Sequence, residues 1–401
     1  MVKNIIKFSV SEALVKLVPI ITTFLLAKTT SLEELGIISI LLVLLEIGFI
    51  FVSNNIQATT RIEYFKDNRD LLIDKLRVKI RYSSAVYFFL AIPCLISIFY
   101  IDIPIYIVVL IPICRTVSAL ALSLSQCEKR INAYFSIQLL FVLVFVSVFY
   151  LYNSFNLLGW AYSLSIAYLF QAILAIYVLI SFGLFANNPL TQRTVKWSDV
   201  VFGFSFMPQA FGWWVKNAFE RYIVQLQFGM ITLGLYSYAY QYSSILTFSV
   251  TAINLALVPE INKLLQLKSK LAFRKLNNIY IIFSIFLFIM SLFTYVISIF
   301  ITNNYYQELA ESKDMIIYGI LAVLTQSIAM LMMNELYFCK NERFVAYLVL
   351  FLFSAQSLVT YVFSYNFSIE VILMNSVFFN AIMLIFICLR IFKIRREVLC
   401  L

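Results

Sequence analysis

Arg115 and Glu46 sit where charge is hard to keep. Arg115 lies midway along the apolar run 105–126, and Glu46 lies midway along the run 35–56. An ionisable group that deep in a hydrocarbon-length run costs at least about 2.5–3.5 kcal/mol on insertion scales, so it needs a partner, a cavity or an interface. A guanidinium can grip an oxyanion through two parallel hydrogen bonds, and a carboxylate can titrate. Two readings follow: a structural ion pair between the two, or a cation facing a hydrated cavity with a carboxylate able to couple to an ion. Glu12 and Lys16 stand one helical turn apart with the acid first, a favourable order. They form either a self-neutralising pair reaching for the headgroups or part of such a cavity, and Lys16 lies about 12 Å beyond the start of its run.

Lys216, Glu220 and Arg221 interrupt the run 201–222. Lys216 and Glu220 share a helix face, and Arg221 is turned about 100° away. Next to Trp213 and Trp214, these charges read either as an anchor at the outer interface or as cavity groups. Glu335, near the end of the run 314–338, reads as interfacial. Fixed cations in a protein-lined cavity imply an anionic ligand. Tyr238 and Tyr242 stack on one helix face with Gln241 beside them, a surface that suits sugar rings but equally suits packing.

The chain has no histidine, which removes histidine triads, histidine metal sites and histidine proton relays together. Its six cysteines, at 94, 114, 127, 339, 388 and 400, are scattered and form no CxxC pair. Neither a disulfide framework nor a zinc site is expected. No catalytic residue, metal or cofactor is expected, and proton chemistry falls to carboxylates.

The elements that must position these groups are membrane spans. The 401 residues are 63% hydrophobic and 12% charged, with mean hydropathy +0.93. A soluble domain averages roughly 45–50% apolar and about 25% charged, so lipid has to be the solvent. Twelve runs approach the roughly 20 residues that cross a bilayer core: 8–27, 35–56, 82–101, 105–126, 134–152, 157–181, 201–222, 232–257, 279–301, 314–338, 344–364 and 369–391. A tight hairpin is expected around Asp102–Pro104. The first run follows basic residues as a signal peptide would, but Glu12 and Lys16 break it and no small-residue cleavage site follows. It is read as a retained span.

A net charge of +10 would point to nucleic acid in a soluble protein; here the excess sits in loops beside spans. Of the 30 Lys and Arg residues, 24 lie in the even-numbered junctions and the two tails. The odd-numbered junctions hold Lys28 and Lys313, with Arg221 at the edge of its run. By the positive-inside rule both termini are cytosolic. The outer junctions are short. The longest loop, 57–81, mixes seven basic with four acidic residues and is expected to be a solvated amphipathic segment lying along the anionic inner leaflet, the alternative being a segment that binds a partner.

Loop spacing divides the chain into two six-span halves, 1–186 and 201–401, joined by a cytosolic linker at 187–200 that carries Asn187-Asn188-Pro189. A short internal echo fits this division. Leu35-Gly36-Ile37-Ile38-Ser39 opens the second span, and Leu233-Gly234-Leu235-Tyr236-Ser237 opens the eighth. Transporters are commonly built from such repeats. The fold class is all-α integral membrane, with about twelve transmembrane helices in two six-helix lobes.

Further residues carry a resemblance. The first half reads Ser11, Pro19, Leu25-Leu26-Ala27 and Glu34 to Ser39; the second reads Phe204 to Pro208, Glu220-Arg221, Gly229, Gly234 to Ala239 and Pro259-Glu260. This resembles the O-antigen (Wzx-type) polysaccharide flippases of the multidrug/oligosaccharidyl-lipid/polysaccharide (MOP) exporter superfamily. The likeness covers the whole chain in span number and length, and its motifs lie mainly in spans one, two, seven and eight. The family usually has Asp-Arg where this chain has Glu220-Arg221. The resemblance implies a V-shaped pair of lobes around a cationic cavity, in a bacterial inner membrane. It implies translocation of undecaprenyl-pyrophosphate-linked oligosaccharide from the cytosolic to the periplasmic leaflet by alternating access. It places Arg115, Lys16, Lys216 and Arg221 as headgroup-binding candidates, with only Arg221 matched to a motif. Glu46, Glu12 and Glu220 are the ion-coupling candidates, and Tyr238, Tyr242 and Gln241 the sugar contacts. Partners are the lipid-linked oligosaccharide, membrane lipids, and the polymerase and chain-length regulator of the same pathway.

Two other functions compete. An O-antigen polymerase would carry a large periplasmic loop with catalytic arginines, and the outer junctions here are short and nearly free of Lys and Arg. A drug exporter of the same superfamily would favour acidic cavity residues; the mid-span cations tilt against it, and Glu46 supports it.

Overall fold

A computed structural model describes residues 15, 18, 21–22, 24–97, 104, 106–152, 156–185 and 198–399. Glu12, Lys16 and the Asp102–Ile103 hairpin lie outside the described residues, as does the expected linker up to residue 197. The described residues are helical apart from turns. After a helical stretch ending near residue 29 come α1 (Leu32–Ser53), α2 (Ile56–Lys66), α3 (Arg69–Ser97), α4 (Tyr106–Cys127), α5 (Ile131–Leu151) and α6 (Leu157–Ser181). Then follow α7 (Ser198–Phe204), α8 (Met207–Gln266), α9 (Lys270–Tyr305), a 3-10 turn (Gln307–Ser312), α10 (Lys313–Phe338), α11 (Glu342–Ser364) and α12 (Ile369–Leu399). Eight stretches among the described residues are long and apolar enough to cross a membrane by themselves. The protein is an all-α, multi-pass membrane protein.

Local chemistry sets the ends of these helices. Ser31 accepts from the Glu34 amide to start α1, with the Ser-x-x-Glu spacing of a capping box. Asn156 accepts from Gly159 at the start of α6, and Ser269 from Ala272 at the start of α9. Asn54 and Asn55 end α1 in the left-handed region, which asparagine tolerates better than most residues. Lys129, Lys268 and Lys340 take the same conformation, each at a basic junction. The long α8 contains two expected spans: Gly229, at φ 85° and ψ 173°, divides it into 207–228 and 230–266. Only glycine occupies that region readily.

The chain forms two compact units. One is built on Ile40–Trp214, the other on Val215–Leu401 with the described part of Pro19–Ser39. In the first, the amphipathic segment expected over 57–81 forms α2 and the start of α3, with one face packed on the core rather than solvated all round. Ile56, Leu72 and Leu76 pack with Leu120, Leu124 and Leu179 from α4 and α6. Three of its acids find bases within it: Lys79 bonds Glu63 and Thr59, Lys75 bonds Asp67, and Arg77 bonds Asp74. Two of these pairs reach across the hairpin and one lies a turn apart within α3, which lets a polar sequence fold onto an apolar floor; charge count alone does not show this. In α4, Pro112 sits inside the helix, where it removes one backbone bond. Its ring also receives the close approach of Gly48 from α1, where a β-carbon would stand 3.0 Å from Pro112 Cγ.

The second unit has an apolar core around Leu276, Phe283 and Leu331, and beside it rows of buried polar residues whose helices are apolar outside. Along α9 the buried positions Ser291, Thr294, Ser298 and Thr302 alternate with exposed Leu292, Phe293, Val296 and Phe300. In the second half of α11 the buried positions Gln356, Ser357, Thr360 and Ser364 follow the apolar Val345, Val349, Leu352 and Phe353. This inverted pattern is stable only with hydrocarbon as the outer solvent, because small hydroxyls bond back to their own helix and let neighbours approach. Here the two echo motifs meet. A β-carbon on Gly36 would lie 2.8 Å from the Met230 carbonyl oxygen, and one on Gly234 would collide with the Leu32 carbonyl. Each glycine faces the residue four before its counterpart, so the crossing of α1 and α8 is reciprocal. Replacing Gly229 or Gly234 by Ala is expected to cost about 1–3 kcal/mol through strain or displaced backbone. The check is the melting temperature of detergent-purified protein, which should fall by several degrees in each variant; unchanged melting would show that neither constraint holds.

Candidate functional site

The second unit holds a mainly apolar pocket into which Lys216, Asn217, Glu220, Tyr236, Gln326 and Ser376 bring polar groups. The first arm of α8 supplies Lys216 and Glu220 one turn apart. The Lys216 ammonium donates to Gln326 Oε1 at 2.7 Å and Asn380 Oδ1 at 3.2 Å and lies 5.0 Å from the Phe353 ring centre. The Glu220 carboxylate accepts from Tyr236 Oη, Gln356 Nε2 and Ser376 Oγ. Both charged side chains are buried. Each charge is therefore solvated by neutral groups from α8, α10, α11 and α12. The open volume is about 30 Å³, room for a water or a small ion and far too little for a sugar or a pyrophosphate. This pocket can hold or exchange a small charge; in this conformation it does not admit a headgroup.

Arg221 points elsewhere, as its angular offset requires. It donates to the Ser39 carbonyl at 3.1 Å and stands over Tyr240 at 5.3 Å, tying α8 to the helix that carries Gly36. Its Nε is buried without a partner among the described residues. Tyr238 and Tyr242 are 0% and 1% exposed. Their hydroxyls bond each other at 2.8 Å, and Phe24 and Tyr306 close over the rings. They pack the unit and present no open face here, while Gln241 beside them is half-buried. Trp214 donates to the Val43 carbonyl, a buried tie within the first unit.

In the first unit, Arg115 and Glu46 meet. The guanidinium donates to Glu46 Oε1 at 2.7 Å and covers the Phe49 ring at 4.2 Å. The two side chains remain 30% and 49% exposed, although both lie near the middle of their helices. Lys79–Glu63, by contrast, is 6% exposed on both sides, while Lys263–Glu260, near the end of α8, is open at 63% and 59%. Glu335, expected at an interface, is instead buried under Arg395, which grips both carboxylate oxygens at 2.7 and 2.6 Å. Tyr280 also donates to that carboxylate.

With this geometry in hand, comparison with known proteins is informative. No protein-family model matches the chain, and no curated protein matches it. Solved structures do. An inward-facing multidrug resistance MATE family transporter of the MOP superfamily aligns with TM-score 0.70 at 11% identity, covering 97% of this chain and 95% of that one. An outward-facing structure of such a transporter aligns with TM-score 0.62 at 12% identity, covering 99% and 96%. The Vibrio cholerae MATE transporter VcmN in its bent form aligns with TM-score 0.58 at 16% identity, covering 99% and 97%. The fold is that of the MATE transporters.

On this MATE fold, the sequence reading singled out the charged residues but not their partners. Gln326, Gln356, Ser376 and Asn380 are amides and a hydroxyl within apolar helices, and that oddity was the available signal. Removing one buried charge leaves the other uncompensated, which costs about 3–5 kcal/mol for a buried pair, whereas removing both is far milder. Lys216→Met and Glu220→Gln should each lower the melting temperature of the purified protein. The double variant should lose clearly less than the sum. Strictly additive losses would show that the two charges do not sense each other.

Proposed function

We propose that this protein is a membrane transporter working by alternating access, and that its cargo is an undecaprenyl-pyrophosphate-linked oligosaccharide of the O-antigen type. It would carry the repeat unit from the cytosolic to the periplasmic leaflet of a bacterial inner membrane, with both termini cytosolic. The transport reading draws on the MATE fold, which aligns with transporters in both inward- and outward-facing forms. The cargo reading is carried by one observation: a guanidinium near mid-span with a substantially open side chain. A half-open ion pair at that depth faces water rather than lipid, since lipid exposure would cost several kcal/mol. A cation in a hydrated pathway selects an anion, and arginine matches phosphate oxygens in pairs.

The lipid tail would stay in the bilayer while the headgroup crosses. Polymerase and chain-length regulator of the same pathway would take the product. In this reading Lys216 and Glu220 serve ion coupling or conformational change, because their pocket is too small for cargo. A multidrug exporter is the second reading. It is favoured by the multidrug resistance transporters with which the chain aligns and by the open Glu46 carboxylate. The short outer junctions disfavour a polymerase.

Deleting the gene in the native host separates these. A flippase predicts single-repeat lipid-linked units accumulating on the cytosolic leaflet; a polymerase predicts a surface with one repeat per lipid core. An exporter predicts altered drug susceptibility with normal surface polysaccharide. Arg115→Ala should abolish polysaccharide display at normal protein level, with partial rescue by Arg115→Lys. Full display by the Ala variant would remove Arg115 from the transport path.

A further inference from the structure

The contrast among the ion pairs carries a further step, which rests on the cargo reading above. Arg395 holds Glu335 through two hydrogen bonds in a closed setting, with side chains 14% and 1% exposed. Lys79 and Glu63 are equally shut in. Arg115 makes one bond to one oxygen of Glu46, and both remain open. Burial locks the first two pairs; nothing comparable locks the third.

What is fixed is the guanidinium. Phe49 lies beneath it at 4.2 Å, an attraction that does not depend on Glu46. The helices that carry the pair are held close by Gly48 against Pro112, three residues before Arg115, and Thr116 bonds back to the Pro112 carbonyl. Glu46 has no such brace among the described contacts, and it is the more exposed partner. The arrangement is a seated cation with a detachable anion.

We propose that Glu46 is the resident occupant of a diphosphate site, and that cargo binds by displacing its carboxylate from Arg115. The guanidinium then exchanges one carboxylate hydrogen bond for a two-point grip on phosphate oxygens, while Phe49 keeps it in place. No covalent bond is made or broken: the diphosphate brings its own negative charge, and the detached Glu46 carboxylate, already the more exposed partner, turns to water. Glu46 thereby keeps Arg115 neutralised when the site is empty and sets a threshold that singly held anions do not pass. The ligand class is a diphosphate ester of a polyprenol. The shared chemistry with free diphosphate requires that the two sources be told apart.

The test is calorimetric titration of the full-length protein in nanodiscs with farnesyl diphosphate and, separately, with inorganic pyrophosphate. Glu46→Gln keeps the side-chain shape and frees the cation, so it should bind farnesyl diphosphate at least tenfold more tightly than wild type. Glu46→Asp retains the competing charge and serves as the folded control, with affinity near wild type. Arg115→Ala should bind at least tenfold more weakly, and Glu46→Gln combined with Arg115→Ala no better than Arg115→Ala. Tighter binding of both diphosphates by Glu46→Gln supports a headgroup site; tighter binding of the prenyl ester alone supports a site that also needs the lipid. If Glu46→Gln binds like wild type while Arg115→Ala is weakened, displacement is wrong and the cargo reading stands. If wild type and every variant ignore both ligands, the two fall together.

Discussion

A carboxylate at the depth of hydrocarbon has to be solvated by protein, and in the second unit that demand organises everything around Glu220. Three donors reach it, from α8, α11 and α12, and the neighbouring ammonium draws acceptors from α10 and α12. Each of those helices must therefore turn a polar face inward at one level. The hydroxyl rows of α9 and α11 extend the same logic. The apolar residues they displace end up outside, which is the correct side when lipid is the solvent. Without that carboxylate the inward amides of α11 and α12 would themselves be buried polar groups seeking partners.

The first unit solves its charge problem differently. Its hairpin α2–α3 pairs acid with base mainly across the bend and packs on an apolar floor. Near mid-span it keeps one pair open, with Phe49 as the only aromatic brace described for the cation. The Lys79–Glu63 and Arg395–Glu335 pairs are closed on themselves, whereas Arg115–Glu46 is open near mid-span.

Much of this was legible in the residues. Apolar run length located the helices, and the basic junctions coincide with turns where lysine takes a left-handed conformation. The glycines of the echo, Gly36 and Gly234, turned out to touch reciprocal backbones. Arg115 and Glu46 were paired correctly as one of two readings. Other features were not legible, because they depend on which helices become neighbours. A one-dimensional pattern shows that Tyr238 and Tyr242 share a face, but not that Phe24 and Tyr306 close over it. It shows four acids and seven bases over 57–81, but not that three of the acids pair with bases within a packed hairpin. The amides around Lys216 come from helices over 100 residues away in sequence, and no local spacing announces that.

The reciprocal contact of Gly36 and Gly234 has a consequence for biogenesis. The surface around Gly36 is matched by a segment roughly 200 residues further along the chain. At about 5–20 residues per second, synthesis delivers that segment about 10–40 s later. For that interval α1 sits in the membrane with a backbone-exposing glycine face and no mate. The second unit thus closes on a strip of chain made at the outset, so its assembly is timed by translation rather than by local folding. A mispairing of that early strip would leave a late-made helix without its groove, even in a chain whose every span had been inserted correctly.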